Sequence, residues 1–409
     1  MLFFCDENLE VKVTFEKFYS DLLNKDNIAK FIYFKKTYEV ILELSAAIFY
    51  GKNVILLDGD FSESELNNLG ISQNDLSDNW IIDNEFGNIN NDIFREKILS
   101  NQDVVKIGIF TSGTTGKPKC IHHTLKALMR NVKIGKKHCD DIWGLAYSIT
   151  HYAGVQVILQ ALLNYNTVID LFGKNASSAN FLLEKYGCTC ISATPTYFRN
   201  YLFTINGENE KIKSVSFGGE KFSSELLENA KRKFPNARVR NIYASTEVGS
   251  LLSGNGEFFV VSADLKDKIK ISEENHLLIH CTLLNGIAVD DDWYDTKDVV
   301  SLNSDGSFKF LSRDTDFINV GGYKVNLIEV EEEILKVEGV VDVVVYGRDN
   351  SVIGKILVAD IIVSAEYDGE KVKNSTVSYL KATLQSFKIP RMINIVTELK
   401  RNRSGKKVR

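Results

Sequence analysis

The chain has 409 residues, 44% of them apolar and 25% charged, and a formal net charge of −5. That length exceeds one ordinary hydrophobic core and predicts at least two domains with ample buried material. The negative charge excludes a dedicated nucleic-acid binder and a protein that adheres generally to anionic membranes. No apolar run has the length of a membrane span, and the opening MLFFCDENLE is too short, and lacks the basic flank, for a signal peptide. The six cysteines are scattered, and the close pair Cys188 and Cys190 is one residue apart, which is not a zinc spacing. A cytoplasmic protein with free thiols is the expectation.

In chain order, Thr14 is placed to cap a helix that carries Phe15, Phe18, Leu22 and Leu23 at helical spacing. Residues 38–50 read as a second, strongly apolar helix ended by Gly51, and 53–57 as a strand that stops at Asp58-Gly59. Helix alternating with short apolar strand is the α/β pattern, and residues 1–103 read as scaffold.

A β-prone run (Val104, Val105, Ile107, Ile109, Phe110) then ends in Thr111, Ser112, Gly113, Thr114, Thr115 and Gly116, followed by Lys117, Pro118 and Lys119. Glycines let backbone N–H groups approach a ligand closely, hydroxyls add donors, and lysines add positive charge; the run reads as a phosphate-binding loop. A plain Ser/Gly linker rarely follows a buried strand directly or carries this pair of lysines. Gly116-Lys117 runs into Pro118 rather than Ser or Thr, so the loop is not that of the common nucleotidases, and no dinucleotide G-x-G-x-x-G is present.

Residues 125–135 read as helix and 142–149 as a buried strand ending at His151-Tyr152-Ala153-Gly154, with a long apolar helix over 155–163. His151 is a candidate site residue by its place at a strand end, although a lone histidine is more often structural. A helix, a strand at 188–193, a Thr-Pro-Thr turn and another helix follow. Two further strands, 212–217 and 239–243, run into Gly218-Gly219-Glu220 and into Tyr243-Ala244-Ser245-Thr246-Glu247. In an open α/β sheet the ligand lies beyond the carboxyl ends of strands. Small residues, an aromatic ring, a hydroxyl and a carboxylate at such ends can hold a nucleotide and magnesium.

TSGTTGKPK (111–119), GGE (218–220) and YASTE (243–247), in that order, resemble the acyl-adenylate-forming superfamily of acyl-CoA synthetases, luciferases and peptide-synthetase adenylation domains. WYDTKD (293–298), SRDTDFINVGGYKVNLIEVE (312–331) and NRSGKKVR (402–409) extend the resemblance over nearly the whole chain, with an N-terminal part shorter than usual. The resemblance implies the adenylate-forming enzyme fold: a large N-terminal α/β multi-sheet domain over 1–312 and a small mobile C-terminal α+β domain over 316–409. It implies ATP- and Mg²⁺-dependent conversion of a carboxylic acid to an acyl-adenylate, then acyl transfer to a thiol, either coenzyme A or a carrier protein's phosphopantetheine.

Residue by residue, it implies that Thr111, Ser112, Gly113, Thr114, Thr115, Gly116 and Lys117 hold the ATP phosphates. Gly218, Gly219 and Glu220 would line the adenine and Tyr243 would stack on it. Thr246 would contact phosphate, Glu247 would bind Mg²⁺, and Asp298 would accept from both ribose hydroxyls with Arg313 nearby. Lys406 would bridge the substrate carboxylate and the α-phosphate. His151 would stand beside the acyl and thiol channel.

The chain departs from the pattern at Ala244, at Lys297 (acceptable in place of glycine only if its φ is negative) and at Thr315, where the family's hinge Asp falls, with Asp316 next to it, so that the pivot is Thr315 or Asp316. The small domain reads as a strand pair around 320–325, a helix over 327–338, strands at 340–348 and 355–364 and a helix over 373–387, with Glu329 and Glu331 to Glu333 on a solvated face. Lys407 and Arg409 read as a solvated end, unlike Lys406.

The stretch 145–156 holds no acid to pair with an α-ammonium, which favours a small plain or hydroxylated carboxylic acid as substrate. No fused carrier domain is expected, so the acceptor is free coenzyme A or a separate acyl carrier protein; no nucleic acid and no membrane are expected as partners. A non-catalytic adenylate-binding protein would be expected to lack Lys406 or Glu247, and both are present. Transfer of the adenylate to a non-thiol acceptor is the other alternative.

Overall fold

A computed structural model describes residues 1–83, 86–111, 119–245, 247–285, 289–313, 316–320, 323–350, 354–401, 407 and 408, the side chains of Thr111 and Lys324 excepted. The chain forms a large N-terminal mixed α/β domain and a smaller C-terminal one. The large domain is organised on an eight-stranded sheet whose strands lie in the order Gly249–Gly254, Arg238–Ser245, Ser214–Gly218, Cys190–Ala193, Ile142–Leu145, Thr167–Asp170, Leu2–Asp6 and Val11–Thr14. The six inner strands are mutually parallel and the two outer ones pair antiparallel. A parallel sheet needs cover on both faces, and the inner strands meet that need with apolar runs such as Val168, Ile169, Ile191, Val215 and Phe217, all buried.

A four-stranded sheet (Phe31–Ile32, Val54–Leu56, Lys106–Thr111, Lys119–Thr124) shares a core with it. Between them the helices Thr37–Phe49 and Tyr152–Asn164 are apolar almost all round and almost wholly buried, as a helix facing apolar neighbours on several sides must be. A five-stranded antiparallel sheet, built from Phe258–Phe259, Phe308–Arg313, Trp293–Leu302, His276–His280 and Ile269–Ile271, completes the large domain. The small domain has its own core, in which Val330, Ile334, Val343, Val345, Leu357, Ile361 and Leu380 are fully or almost fully buried. Its sheets are Phe317–Val320 with Tyr323–Asn326, and Val340–Asn350, Gly354–Val363 and Met392–Ile395. All six cysteines are free, with Cys5, Cys188 and Cys190 buried.

Local signals account for most boundaries. Thr14 accepts from the Lys17 amide at 3.3 Å and caps Phe15–Leu23, as expected. The Thr-Pro-Thr turn works in the same way: Thr194 accepts from the Tyr197 amide at 3.1 Å, and Pro195 opens the helix Pro195–Thr204.

Three expectations need correction. The helix expected over 125–135 stops at Met129, and the amides of Lys133 and Gly135 bond instead to Gln160 and Asn164 of the buried helix. Glu331 is not on a solvated face. It is 6% exposed and accepts from the Val345 amide at 2.8 Å, beside a register shift between Val340 and Asp342. Lys297 has φ +59°, not a negative value. A lysine in that left-handed conformation costs about 1 kcal/mol relative to glycine; Asp295 holds it by accepting from its amide at 2.8 Å and from Nζ at 2.6 Å.

Candidate active site

Because the inner strands are parallel neighbours, their carboxyl ends share one rim of the sheet. Along that rim come Tyr243 to Ser245, then Gly218 to Glu220, then Thr194 to Thr196, then the segment from Tyr147 to His151. Residues more than ninety positions apart in the sequence are thereby set side by side.

At the first strand end, Tyr243 stacks on Phe310 of the five-stranded sheet, with ring centroids 4.3 Å apart and planes 13° apart. Its hydroxyl donates to Asp298 Oδ2 at 2.6 Å, while Arg313 Nε donates to Asp298 Oδ1 at 2.7 Å. Asp298 is 5% exposed, so two charge-assisted bonds hold a nearly buried carboxylate with both oxygens committed. Burial and the adjacent Asp298 push the Tyr243 phenol well above its usual range, which keeps it a donor. Arg313 in turn donates its amide to Asp316 Oδ2 at 2.9 Å, at the expected hinge.

Glu247 is half-buried and lies within electrostatic reach of Arg313 and Tyr294. Among the described residues no side chain bonds its carboxylate, so a hard oxygen donor faces the rim uncommitted. That donor chemistry fits Mg²⁺, which takes one or two protein carboxylates and completes its shell with phosphate oxygens and water.

At the second end, Glu220 is half-buried. It accepts from the Thr196 amide at 2.9 Å, tying the Gly-Gly-Glu turn to the first turn of the neighbouring helix. Gly219 has φ +86° and Gly218 receives the Tyr147 hydroxyl on its carbonyl at 3.2 Å.

At the fourth, His151 stands half-buried at the start of Tyr152–Asn164, with Nε2 3.5 Å from Asp58 Oδ1. Thr150 Oγ1 donates to the same carboxylate oxygen and bonds to Ser148 Oγ at 2.7 Å. The turn that carries them is pressed onto the helix so closely that a Cβ on Gly154 would lie 2.0 Å from the Ser148 carbonyl oxygen. Sequence reasoning missed Asp58, which the strand Val54–Leu56 delivers from the other sheet. Its one signal was an Asp-Gly pair at a strand end.

Of the expected phosphate loop, the backbone of Thr111 is described and pairs with Lys119 across a hairpin. Ser112, Gly113, Thr114, Thr115, Gly116 and Lys117 lie outside the described residues, as do Thr246, Thr315 and Lys406. The expected solvated Lys407 is a correction. Its side chain is 8% exposed, and Nζ lies 2.6 Å from both Asp342 Oδ1 and the Val343 carbonyl.

The AMP-binding enzyme family matches residues 31–270, and its C-terminal domain matches residues 329–406. The chain is an AMP-binding enzyme. Among similar sequences, the 2-succinylbenzoate–CoA ligase of Listeria innocua is 26% identical over 321 residues, which span 73% of this chain and 67% of that ligase. The 4-hydroxybutyrate–CoA ligase 1 of Metallosphaera sedula is 26% identical, spanning 75% of this chain and 61% of its own. Among solved structures, the o-succinylbenzoate CoA synthetase of Bacillus subtilis with its acyl-adenylate intermediate superposes with a TM-score of 0.69 at 19% identity, over 99% of this chain and 94% of that one. An anthranilate CoA ligase in complex with anthranoyl-AMP reaches 0.73 at 16% identity, over 99% and 92%. This AMP-binding enzyme therefore has the adenylate-forming fold, and its Gly-Gly-Glu turn, Tyr243 and Glu247 all lie within the matched 31–270 stretch.

Proposed function

We propose that the chain converts a small carboxylic acid lacking an α-amino group into its acyl-adenylate, releasing pyrophosphate, and then transfers the acyl group to the thiol of coenzyme A. The observation that carries this reading is the Tyr243–Asp298–Arg313 corner, standing on the same rim as Gly218 to Glu220, Glu247 and His151. A ring, a preorganised carboxylate and a small-residue turn at one strand-end rim suit an adenosine. The names of the relatives described above, CoA ligases or synthetases of small acids, support the substrate class and the acceptor. A separate carrier protein bearing phosphopantetheine is an acceptor of the same chemistry.

In this reading Thr111 to Lys117 cradle the phosphates, Thr246 contacts phosphate and Glu247 holds Mg²⁺, which neutralises charge on the phosphate oxygens when bound. Asp298 accepts from the ribose hydroxyls. It keeps its orientation because Tyr243 and Arg313 fix it from either side. Lys406 meets the substrate carboxylate and the α-phosphate, where a compact charge on a flexible stem follows the oxygen as it bonds to phosphorus. Such a reaction is positioning and charge neutralisation, and it needs no protein nucleophile. His151, oriented by Asp58 and Thr150, borders the route by which the thiol arrives. The small domain, 316–409, turns about 313–316 between the two half-reactions while 1–312 stays in place, a gated domain motion.

The test is ATP–pyrophosphate exchange over a panel of plain, hydroxylated, aromatic and α-amino acids. Exchange is expected with small acids lacking an α-amino group. A stronger signal with any α-amino acid would overturn the substrate class, and would direct attention to Asp58 as the ammonium partner.

A further inference from the structure

We propose that Asp342 and Arg199 form a clamp that positions the C-terminal segment carrying Lys406, and that the Gly-Gly-Glu turn is wired to this clamp through Thr196. The inference rests on the adenylation reading in one respect: Lys406 is the group the clamp serves.

Asp342 is 0% exposed and sits at the register shift that opens the strand Val340–Asn350. Its Oδ1 accepts from the Val343 amide at 3.0 Å and faces Lys407 Nζ at 2.6 Å. Arg401 approaches the other oxygen, with Nη2 3.7 Å from Oδ2. Arg401 and Lys407 are themselves paired across an antiparallel bridge, and the Val408 amide donates to the Lys400 carbonyl at 3.0 Å. Arg401 and Lys407 are thus held side by side over one buried carboxylate.

The large domain contributes the remaining partner. Arg199, on the helix Pro195–Thr204, brings Nε to 3.7 Å from Asp342 Oδ1. Its Nη2 donates to Thr196 Oγ1 at 3.2 Å, and the Thr196 amide donates to Glu220 Oε2 at 2.9 Å. One residue beyond Glu220, Lys221 Nζ meets Glu332 of the small domain at 2.5 Å. A continuous polar path therefore runs from the Gly-Gly-Glu turn at the rim to the base of the tail.

Electrostatics favour a positioning role over simple stabilisation. Among the described residues this carboxylate faces three cations, and Asp342 Oδ2 and Arg199 Nε make no hydrogen bond. A buried ion pair with such loose outer contacts adds little stability for its desolvation. It does fix direction, because Arg199 can meet Asp342 only when the small domain presents the tail to this face. Removing Arg199 leaves Asp342 still paired with Lys407, so the fold should survive the change.

The experiment compares wild type, Arg199→Gln and Arg199→Lys in three measurements: pyrophosphate exchange, thioester formation from supplied acyl-adenylate, and hydrogen exchange at 400–408. Arg199→Gln is expected to lower the turnover of pyrophosphate exchange about tenfold, with little change in KM for ATP, to leave thioester formation within about twofold, and to speed amide exchange at Val408 about tenfold. Arg199→Lys, which keeps the charge, should recover most of both losses. Equal losses in the two half-reactions, or unchanged exchange at Val408 in Arg199→Gln, would overturn the clamp. Hydrogen exchange needs no substrate, so it judges the clamp even if wild type exchanges pyrophosphate with no acid in the panel, the result that would sink the adenylation reading instead.

Discussion

Asp298 and Asp342 are both buried carboxylates beside arginines, yet they are built differently. Asp298 has its two oxygens committed to Tyr243 and Arg313 at 2.6 and 2.7 Å, from strands that pack within one domain. Among the described residues Asp342 has one close cation, Lys407, and two at 3.7 Å, of which Arg199 comes from the other domain. The first arrangement is rigid and self-contained, as suits a group that must present lone pairs to a ligand in a fixed direction. The second is graded. Its inner pair holds the small domain together and its outer contacts can be exchanged at small energetic cost.

The sharpest way to break this contrast is Asp342→Asn. It leaves the Lys407 ammonium, 8% exposed, without its carboxylate, and loss of one partner of a buried pair costs about 3–5 kcal/mol. Unfolding in urea should show that loss in the cooperative unit containing the small-domain core, and the double variant Asp342→Asn/Lys407→Met should regain most of it. If the double variant is as unstable as the single one, the pair is not the unit that matters.

Asp298→Asn tests the other side of the comparison. It should lower adenylate formation about a hundredfold, or about 3 kcal/mol, through a donor amide facing the ribose in place of an acceptor. Its effect on stability should stay near 1 kcal/mol, because the Arg313 side chain is 44% exposed and water can replace the lost partner. A melting shift as large as that of Asp342→Asn would erase the distinction.

A third buried ionisable group extends the series to one with no partner among the described residues. His123 is 0% exposed, neither ring nitrogen has a hydrogen-bond partner among them, and its ring meets Tyr152 edge-on. Burial, with smaller contributions from His122 and Arg130, lowers its pKa from 6.5 to about 4. Between those values the unfolded chain binds the proton and the folded one does not, so stability rises with pH there. The contribution is complete above about 6.5 and is lost as pH falls through about 4, at most about 3 kcal/mol. His123→Phe should flatten the stability profile between pH 6.5 and 4 while leaving it unchanged at pH 8. A profile as steep as that of wild type would assign the acid sensitivity to other groups.

What the sequence disclosed, and what it withheld, follows the range of the forces involved. Strand ends, caps and loop chemistry are local, so Thr14, Thr194, the Gly-Gly-Glu turn and the Tyr243 to Glu247 run could be read from spacing and residue type. Tyr243 and Asp298 could be assigned to one site only through the family resemblance, since 55 residues separate them. The partners that orient them lay beyond that reach. Asp58 arrives at His151 from another sheet, Arg199 meets Asp342 from another domain, and Glu331 turns inward to accept from the Val345 amide on an edge strand. Lys407 looked like one more charge in a basic tail, and nothing in its neighbours disclosed a buried aspartate 65 positions earlier. Lys297 is the converse case. A negative φ was expected for a lysine in the glycine's place, and the chain instead takes φ +59° with a side chain pinned by Asp295.

The six free thiols bear on a different hazard. An activated acyl group is an electrophile that any thiolate can capture. Burial pushes Cys120 up to about 11 and Cys188 and Cys190 up to about 12, and raises Cys5 as well. Cys139, the exposed thiol, donates its S–H to the Lys136 carbonyl at 2.8 Å. A protein that makes acyl-adenylates for a sulfur nucleophile thereby keeps four of its own six thiols protonated at neutral pH. Self-acylation is suppressed by the same burial that packs the sheet, and the incoming thiol meets few internal competitors.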